Sequence, residues 1–287
     1  MIVITGATGQ LGSQVVEHLL QRVPADQVGV SVRDPQRATD LAHRGVRVRR
    51  GDFADPASLA DAFAGATQVF VVSVDSTGTD AVTQHAAAVD AARAAGAGRV
   101  VYTSHQAAAA DSLFGPMLDH AATETYAAGA EVPFTALHNG FYASTVPLLL
   151  GPALQTGELV APADGPVSWT THGDLAEAAA VLLADPGRFD GPTPPLTGPA
   201  ALDLADVAAL LTELTGRPVR RVVVDDEEWA AGLIGHGVPE GQARMLLGMF
   251  AASRRGEFAA TGPLLAELLG RPATPLRDVL AGLASAG

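Results

Sequence analysis

Three glycines near the N-terminus have the spacing of a turn that binds phosphate. Gly6, Gly9 and Gly12 directly follow an apolar run and open a helical pattern. In such a turn the first glycine permits a tight bend, the second lets the backbone approach a pyrophosphate, and the third lets the helix pack closely on the sheet. Free N–H groups and the helix dipole then hold the anion without a lysine. We predict a dinucleotide site here, rather than a purely structural turn, with contacts from Gly6, Thr8, Gly9, Gln10, Leu11 and Gly12.

The choice of dinucleotide depends on the end of the second predicted strand. Arg33 lies there, about twenty residues beyond the loop, where an acidic residue would accept the ribose 2′-hydroxyl of NAD. A guanidinium instead offers a fork for a 2′-phosphate, and Arg37 lies one turn further on. The alternative is a surface arginine paired with Asp34. We predict NADPH as the cofactor, with NADH as a possible substitute.

Further cofactor contacts are predicted where later strands end. Asp52 can face the amino group of adenine, and Phe53 can lie along the edge of the ring; the alternative is an ordinary strand-end turn. In open α/β sheets, ligands bind beside the carboxyl ends of the strands. Ser73 and Ser104 lie at such ends, so we predict that they also line the cofactor.

Four polar side chains are candidates for catalysis, namely His120, Asn139, His105 and Tyr142. Hydride transfer needs the nicotinamide held near an electrophilic atom, and positioning supplies much of the rate. A histidine can orient the ribose or relay a proton near neutral pH. Simpler interpretations stay open, with His105 as a solvated loop residue and His120 as a helix-surface or packing residue.

Aromatic residues near these groups suggest a flat substrate. We predict substrate contacts from Phe141, Tyr142 and Trp169. The alternative is that Phe141 and Tyr142 pack a lobe against the core and that Trp169 is a core side chain. Tyr102 lies inside a predicted strand, which is more typical of a core residue than of a catalytic acid.

All 18 basic residues are arginine, and the chain has neither lysine nor cysteine. This composition excludes a Schiff-base lysine, a phosphate-loop lysine, a Tyr-x-x-x-Lys pair, thiolate catalysis and disulfides. A ketone usually needs a proton donor as the alkoxide develops. A quinone gives a stabilised phenolate, so it suits a site without lysine better than a simple ketone does.

Charge and hydropathy limit the classes of partner. The net charge is −13, which disfavours nucleic-acid binding. No apolar run approaches the roughly 18–20 residues that span a bilayer, and Met1–Gly6 lacks the basic start of a signal peptide. We predict a cytoplasmic monomer or homodimer with no membrane partner. We predict no metal, because no ligand spacing with acidic residues is shown by His18, His43, His85, His172 and His236.

The elements that must position these residues alternate between strand and helix. Strands are predicted at Ile2–Ile4, Gln27–Val32, Val46–Arg49, Gln68–Ser73, Arg99–Thr103, Phe134–Leu137 and Arg220–Val224. Helices are predicted at Gln10–Gln21, Pro35–Arg44, Pro56–Ala64, Thr79–Ala95, Pro116–Ala128, Leu175–Leu183, Asp203–Thr215, Pro239–Arg255, Pro263–Leu269 and Pro275–Leu283. Such βα repetition predicts an α/β fold with a Rossmann-like, doubly wound parallel sheet.

The pattern also suggests two parts of unequal regularity. Residues 1–140 are predicted to form the NAD(P)-binding core. Residues 141–287 are predicted to form mainly a smaller C-terminal α/β lobe that binds substrate. A helix and a strand from 174–200 are predicted to pack back on the core.

Several of these segments resemble the NmrA-like atypical short-chain dehydrogenases, and within that group the NADPH-dependent type 2 quinone oxidoreductases. The resemblance covers Met1–Gly12, Ser31–Arg33, Gly51–Phe53, Val100–Ser104, His120–Glu124, Leu137–Tyr142, Asp174–Ala176 and Gly237–Pro239. It implies an NADPH site and an aromatic or quinone-like acceptor beside the nicotinamide. The segments Val74–Asp80 and His105–Gln106 depart from the pattern and border the cofactor.

Three functional hypotheses follow. The first is an NADPH-dependent oxidoreductase that transfers hydride to a quinone or a polycyclic aromatic carbonyl compound. The second is a tailoring enzyme for an aromatic, polyketide-type metabolite, including oxygenation through a reduced hydroquinone. The third is a non-catalytic regulator that senses NADP, because the group that the chain resembles includes such regulators.

Overall fold

The computed structural model describes residues 1–286, and nine strands form its two sheets. They are β1 (Ile2–Thr5), β2 (Val28–Val32), β3 (Arg47–Arg50), β4 (Gln68–Val71), β5 (Arg99–His105), β6 (Phe134–Asn139), β7 (Glu158–Pro162), β8 (Gly191–Pro192) and β9 (Arg220–Val224). The main sheet has seven strands in the order β3-β2-β1-β4-β5-β6-β8, and all its neighbours are parallel. The second sheet is the parallel pair β7-β9.

Thirteen α-helices lie between and around these strands. They are α1 (Gln10–Leu20), α2 (Thr39–His43), α3 (Pro56–Phe63), α4 (Thr79–Ala94), α5 (Gly115–Ala128), α6 (Val146–Leu150), α7 (Ala153–Thr156), α8 (His172–Ala184), α9 (Leu204–Thr215), α10 (Asp226–Gly235), α11 (Glu240–Arg254), α12 (Leu264–Leu269) and α13 (Leu276–Ala286). Within residues 1–286, no helix combines the length and the apolarity that a bilayer span requires.

The strand order creates the place where a ligand can bind. From β1 the chain builds outward through β2 and β3, then returns to the other side of β1 to add β4, β5 and β6. The two halves of the sheet therefore diverge between β1 and β4, and a crevice opens beyond their carboxyl ends. The strands β1, β2, β4 and β5 are buried along their whole length, as expected for a sheet covered on both faces by helices. The prediction of a doubly wound parallel sheet is confirmed.

Two strands extend further than the sequence pattern predicted. β5 continues to His105 and β6 to Asn139, because Ser104 pairs with His138 and His105 pairs with Asn139 in the ladder. These polar residues were expected to follow the strands, and that expectation was wrong. Their backbones are fixed by sheet hydrogen bonds, so the side chains project from a rigid edge.

The end of α5 departs from a common pattern of helix termination. A glycine after a helix often takes a left-handed conformation, and Gly45, Gly65 and Gly96 do so. Gly129 does not, since its φ is −90°. The left-handed residue in that turn is Glu131, with φ 54°.

The second half of the chain supplies elements to two apolar cores. Leu175, Leu182 and Leu183 of α8 pack in the same core as Leu11 and Val15 of α1. β8 pairs with β6 through Thr135 and Gly191. A separate core joins residues from α6, α9, α11 and α13 to the β7-β9 sheet. The sequence did not predict α6, α7 or β7, because prolines and glycines interrupt their patterns, whereas β8 lies in the segment 174–200 in which a strand was predicted to pack on the core.

Candidate active site

The glycine turn has the geometry that a pyrophosphate needs. Gly6 has φ +61°, and a Cβ at Gly12 would stand 2.2 Å from the carbonyl oxygen of Gly6. A side chain at position 12 would therefore separate α1 from β1. Gly9 is the N-cap residue of α1, and no side chain caps this helix end. The side chain of Leu11 is buried in the core, whereas Gly6, Thr8, Gly9 and Gln10 are exposed.

The first amides of α1 are available for an anion. Gly9 N–H donates to the Gly6 carbonyl at 2.9 Å, and Ser13 N–H donates to the Gly9 carbonyl at 3.1 Å. Within residues 1–286, the amides of Gln10, Leu11 and Gly12 donate neither to a backbone carbonyl nor to a capping side chain. Together with the exposed loop, this arrangement fits the diphosphate of a dinucleotide without further groups.

Arg33 lacks the intramolecular ion pair that was the alternative to a 2′-phosphate contact. Asp34 does not pair with it, since the Asp34 carboxylate accepts from Gln36 N–H at 3.0 Å and caps a short 3₁₀ turn. Arg33 and Arg37 are exposed. Neither guanidinium takes part in an ion pair within residues 1–286, so both can reach an anion beside β2. The alternative of a surface pair with Asp34 is not observed.

The Asp52–Phe53 turn has an ordinary structural role as well. The Asp52 carboxylate accepts from Ala54 N–H at 3.0 Å, and Asp52 N–H donates to Ser58 Oγ at 2.9 Å. Phe53 is partly buried against the core between the sheet and α3. Adenine contacts at this turn stay a prediction.

The two serines predicted to line the cofactor are both held by neighbouring side chains. Ser73 N–H donates to Thr103 Oγ1 at 2.8 Å, and the Thr103 hydroxyl donates to Ser73 Oγ at 3.2 Å. Ser104 is buried and donates to the carboxylate of Glu124 on α5. The backbones of Ser73 and Ser104 border the crevice, but their hydroxyl groups form hydrogen bonds with neighbouring protein side chains.

Glu124 was not among the predicted site residues. It accepts from Ser104 and lies 3.0 Å from Nε2 of His138, which faces it from β6. A nucleophilic serine would need its hydroxyl hydrogen bonded to an imidazole base. Here the hydroxyl hydrogen goes to a carboxylate, so the Ser104–Glu124–His138 cluster is not arranged as a hydrolytic triad.

His105 is a buried donor and not a solvated loop residue. It is 8% exposed, and its Nδ1 accepts from Ala107 N–H at 3.0 Å. An amide only donates, so the ring hydrogen lies on Nε2. In the described chain Nε2 has no hydrogen-bond partner. Burial, with help from neighbouring histidines, holds the pKa of His105 well below its usual value, so the ring stays neutral.

His120 lies beside His105 on α5. The two rings are nearly parallel, with centroids 6.4 Å apart. Nδ1 of His120 is 2.8 Å from the hydroxyl oxygen of Tyr102, which is fully buried in β5. Burial lowers the pKa of His120 to about 3. The site therefore presents neutral imidazoles and is not a store of positive charge.

Asn139, the last residue of β6, and Tyr142, three residues beyond it, continue the site. Asn139 is 2% exposed, and its Oδ1 has no hydrogen-bond donor within residues 1–286. Burial raises the pKa of Tyr142 to about 12, and its ring centroid lies 4.1 Å from that of His172. His172, at the start of α8, was not among the predicted site residues. Nothing in its local sequence indicates that α8 returns to this edge.

Aromatic side chains enclose the other side of His105. Phe141 and Phe258 contact its ring edge to face, with centroids 5.5 Å and 5.7 Å away. Phe114 stacks on Phe141 at 6.1 Å. Phe258 was not predicted because it lies far along the chain, and Phe114 was not predicted because no local pattern marks the segment before α5 as part of the site. The cluster supports the proposed role of Phe141 as an aromatic contact.

Trp169 occupies a different environment. It is 3% exposed and packs in the core around α9 and α11. Its Nε1–H donates to the Leu202 carbonyl at 3.0 Å. This placement favours the interpretation of Trp169 as a core side chain. Its ring contacts the aromatic cluster through Phe141, with ring centroids 5.5 Å apart.

The chain resembles known proteins over nearly its whole length. The NmrA-like family matches residues 1–275. Quinone oxidoreductase 2 of Escherichia coli is 35% identical, covering 99% of this chain and 98% of that protein. The structure of that enzyme with NADPH superposes with a TM-score of 0.92, covering 99% of both chains at 34% identity.

Two other reductases are comparably similar. The NAD(P)H azoreductase of Xenophilus azovorans is 33% identical, over 95% of this chain and 94% of that protein. The triphenylmethane reductase of Citrobacter sp., solved with NADP(H), has a TM-score of 0.89 and 35% identity, covering 99% of this chain and 100% of that one. These named activities span quinones, azo compounds and triphenylmethane dyes.

Proposed function

Because the chain belongs to the NmrA-like family, we propose that it transfers hydride from NADPH to a quinone or a polycyclic aromatic carbonyl compound. The chain is an NAD(P)H-dependent oxidoreductase, since its relatives along nearly its full length are named as a quinone oxidoreductase and an azoreductase. The class of acceptor that the site binds depends on the polar and aromatic side chains beside the crevice.

One observation carries the choice of acceptor. His105 and Asn139 are register partners on adjacent parallel strands, so their side chains project from the same face of the sheet. One presents a buried N–H and the other a buried carbonyl oxygen, and neither atom has a partner in the described chain. A buried polar group without a partner costs about 1–3 kcal/mol. Both atoms are closed to solvent in the described chain, so a bound molecule that displaces neighbouring side chains and satisfies both atoms would recover that energy.

These two groups suit different parts of a bound pair. The Asn139 Oδ1 atom can accept from an amide such as that of a nicotinamide. The Nε2–H of His105 can donate to an acceptor oxygen whose negative charge grows as the hydride arrives. NADPH supplies that hydride when it is bound. The aromatic cluster of Phe141, Phe258 and Phe114 then provides an apolar surface for the ring that bears the oxygen.

The cofactor's other contacts follow from the glycine turn. The amides of Gln10, Leu11 and Gly12 hold the diphosphate, and Arg33 holds the 2′-phosphate. Holding the diphosphate in the middle of the cofactor and the 2′-phosphate on its adenosine half would leave the nicotinamide half to extend toward β5 and β6, and such positioning supplies much of the rate. We retain a cytoplasmic location, the absence of a nucleic-acid partner and a monomer or homodimer as predictions that fractionation and light scattering test.

The test is NADPH oxidation by the purified protein with matched acceptors. The panel contains a benzoquinone, a naphthoquinone, a polycyclic aromatic ketone, an azo dye and a triphenylmethane dye, each with and without oxygen. We expect the quinones to give the highest kcat/KM, without oxygen uptake. Stoichiometric NADPH binding with no turnover would instead indicate a sensor. Oxygen uptake that depends on an aromatic substrate would indicate the tailoring reaction.

A further inference from the structure

A chain of buried hydrogen bonds runs from the loop after β4 to His120. It begins at Val74, whose N–H donates to Nε2 of His85 on α4 at 3.0 Å. An amide has no acceptor role, so Nε2 of His85 carries no hydrogen. Burial lowers the pKa of His85 to about 4, so its ring is neutral near pH 7. The ring hydrogen of His85 therefore lies on Nδ1.

The next members of the chain are Thr123 and Tyr102. The Thr123 hydroxyl donates to the Asp119 carbonyl at 2.8 Å, which leaves its oxygen as an acceptor for His85 Nδ1–H at 3.0 Å. The hydroxyl oxygen of Tyr102 is 3.3 Å from the same Nδ1 atom. Since that nitrogen is a donor, it cannot receive the hydrogen of Tyr102.

The direction of the last bond follows. Nδ1 of His120 makes the shortest contact with the Tyr102 hydroxyl oxygen, at 2.8 Å, and the Thr123 hydroxyl, whose own hydrogen goes to Asp119, also interacts with it. Tyr102 is fully buried, and burial raises its pKa, so it keeps its hydrogen. That hydrogen goes to Nδ1 of His120, and the ring hydrogen of His120 then lies on Nε2. In residues 1–286, Nε2 of His120 has no hydrogen-bond partner and is available to a bound molecule.

We propose that His85 and Tyr102 are positioning residues that hold His120 as a neutral donor through Nε2, and that they tie this state to the loop Val74–Gly78. The loop has a second attachment beside His120, because Gly78 N–H donates to the carboxylate of Asp119 at 2.7 Å. The loop is thus connected to His120 through both His85 and Asp119, so a ligand that displaces Val74 from His85 would also release the hydrogen of His120. Tyr102 thereby has a role beyond the core packing that its strand position indicates.

The ring contact between His120 and His105 connects the tautomer of His120 with the proposed reaction. Both imidazoles then offer an Nε2–H, one from each of two nearly parallel rings. Two neutral donors suit an acceptor that becomes negative on reduction, such as a quinone oxygen. A cationic dye becomes neutral on reduction and gains nothing from them. This preference rests on the proposed function, whereas the tautomer of His120 does not.

The direct test is the tautomer itself. Long-range proton–nitrogen correlation spectra of protein with isotope-labelled histidine distinguish protonated from unprotonated ring nitrogens, and His85→Gln and His120→Gln assign the two signals. We expect the wild type to show His85 with hydrogen on Nδ1 and His120 with hydrogen on Nε2. Hydrogen on Nδ1 of His120 would overturn the proposal without any variant having to fold.

Tyr102→Phe tests the role of the hydroxyl group. We expect the His120 signals to become those of a mixture of tautomers, and kcat/KM for quinones to fall about three- to tenfold, as for one lost hydrogen bond. The matched control is Tyr126→Phe, because Tyr126 is exposed and its hydroxyl donates to Asp90 on the protein surface. The control should change neither the tautomer nor the rate.

The outcomes separate the two proposals. An unchanged single tautomer in Tyr102→Phe would refute the positioning role. A changed tautomer with unchanged quinone kinetics would refute its connection to the reaction. The expected tautomers in a protein that reduces none of the acceptors would leave the positioning intact and remove the proposed function.

Discussion

The glycine turn before α1 and the polar ends of β5 and β6 lie at the same edge of the sheet, yet they are built differently. The turn uses backbone atoms within Gly6–Gly12, and an added side chain disturbs it. The side chains of β5 have partners in His85 of α4, His120 of α5 and Phe258, and Tyr142 just beyond β6 contacts His172 of α8. Binding of the common part of a cofactor needs only local geometry, whereas selection of a substrate needs the whole fold.

The largest expected effect lies in the backbone site. Gly9→Val should abolish dinucleotide binding, because the branched side chain occupies the space of the pyrophosphate. The backbone of Gly9 is extended, at φ −90° and ψ 174°, and a Cβ added to Gly9 meets only the Gly6 carbonyl, at 3.2 Å. The fold should therefore survive. Calorimetry with NADPH tests this, with Gly241→Val on the open surface of α11 as the control. Affinity equal to the wild type would remove the site.

Lowering the pH should destabilise the folded protein through the buried histidine His85. His85 has a pKa near 4 in the folded protein and 6.5 when unfolded, so the unfolded chain binds the extra proton as pH falls between those values. The stability that this residue contributes is complete above pH 6.5 and is lost toward pH 4. The shift corresponds to about 3 kcal/mol.

Urea unfolding at pH 7, 6 and 5 measures this loss. His85→Gln keeps an acceptor for Val74 N–H without a titrating ring, so it should reduce the slope of stability against pH. His43→Gln, on exposed α2, should leave the slope unchanged. An identical slope in all three proteins would show that His85 is not the buried neutral residue described above.

Arg33 is the side chain that we predict to extend the backbone site to the 2′-phosphate. Arg33→Ala should weaken NADPH binding by roughly 1.5–3 kcal/mol, the scale of a charge-assisted hydrogen bond, and change NADH binding little. Arg217→Ala, in the exposed turn before β9, removes the same charge elsewhere. Titration of each variant with both cofactors gives the result. An equal loss for NADPH and NADH would mean that Arg33 does not contact the 2′-phosphate.

The smallest expected effects are at the strand ends. His120→Ala and Asn139→Ala should each lower kcat/KM by about ten- to a hundredfold, or roughly 1.4–2.7 kcal/mol, because orientation is shared among several groups. Steady-state kinetics across pH 5–9, with NADPH binding measured separately, tests this. A loss beyond about ten-thousandfold in one variant would reveal a dedicated acid. No loss in either would direct attention to His105 or Tyr142.

The same contrast explains which features the sequence could predict. The turn at Gly6–Gly12 follows from local spacing, and the strands β1 to β6 follow from short apolar runs. The partners of His105 did not follow, because Phe258 lies 153 residues further along the chain and no local pattern brings it there. The burial of Trp169 and the return of His172 to the site depend in the same way on tertiary packing. Polar residues at the ends of β5 and β6 were placed in loops because pattern analysis favours apolar strands.

The uncapped start of α1 has a consequence for the lifetime of the protein. Its amides have no side-chain partner, so a bound anion completes a helix that the chain alone leaves open. A ligand that binds only the folded state stabilises it by about 2.7 kcal/mol at a hundred times its Kd. The folded fraction, and with it the resistance to proteolysis, therefore rises and falls with the supply of dinucleotide. A cell that runs short of the cofactor would also lose the enzyme faster.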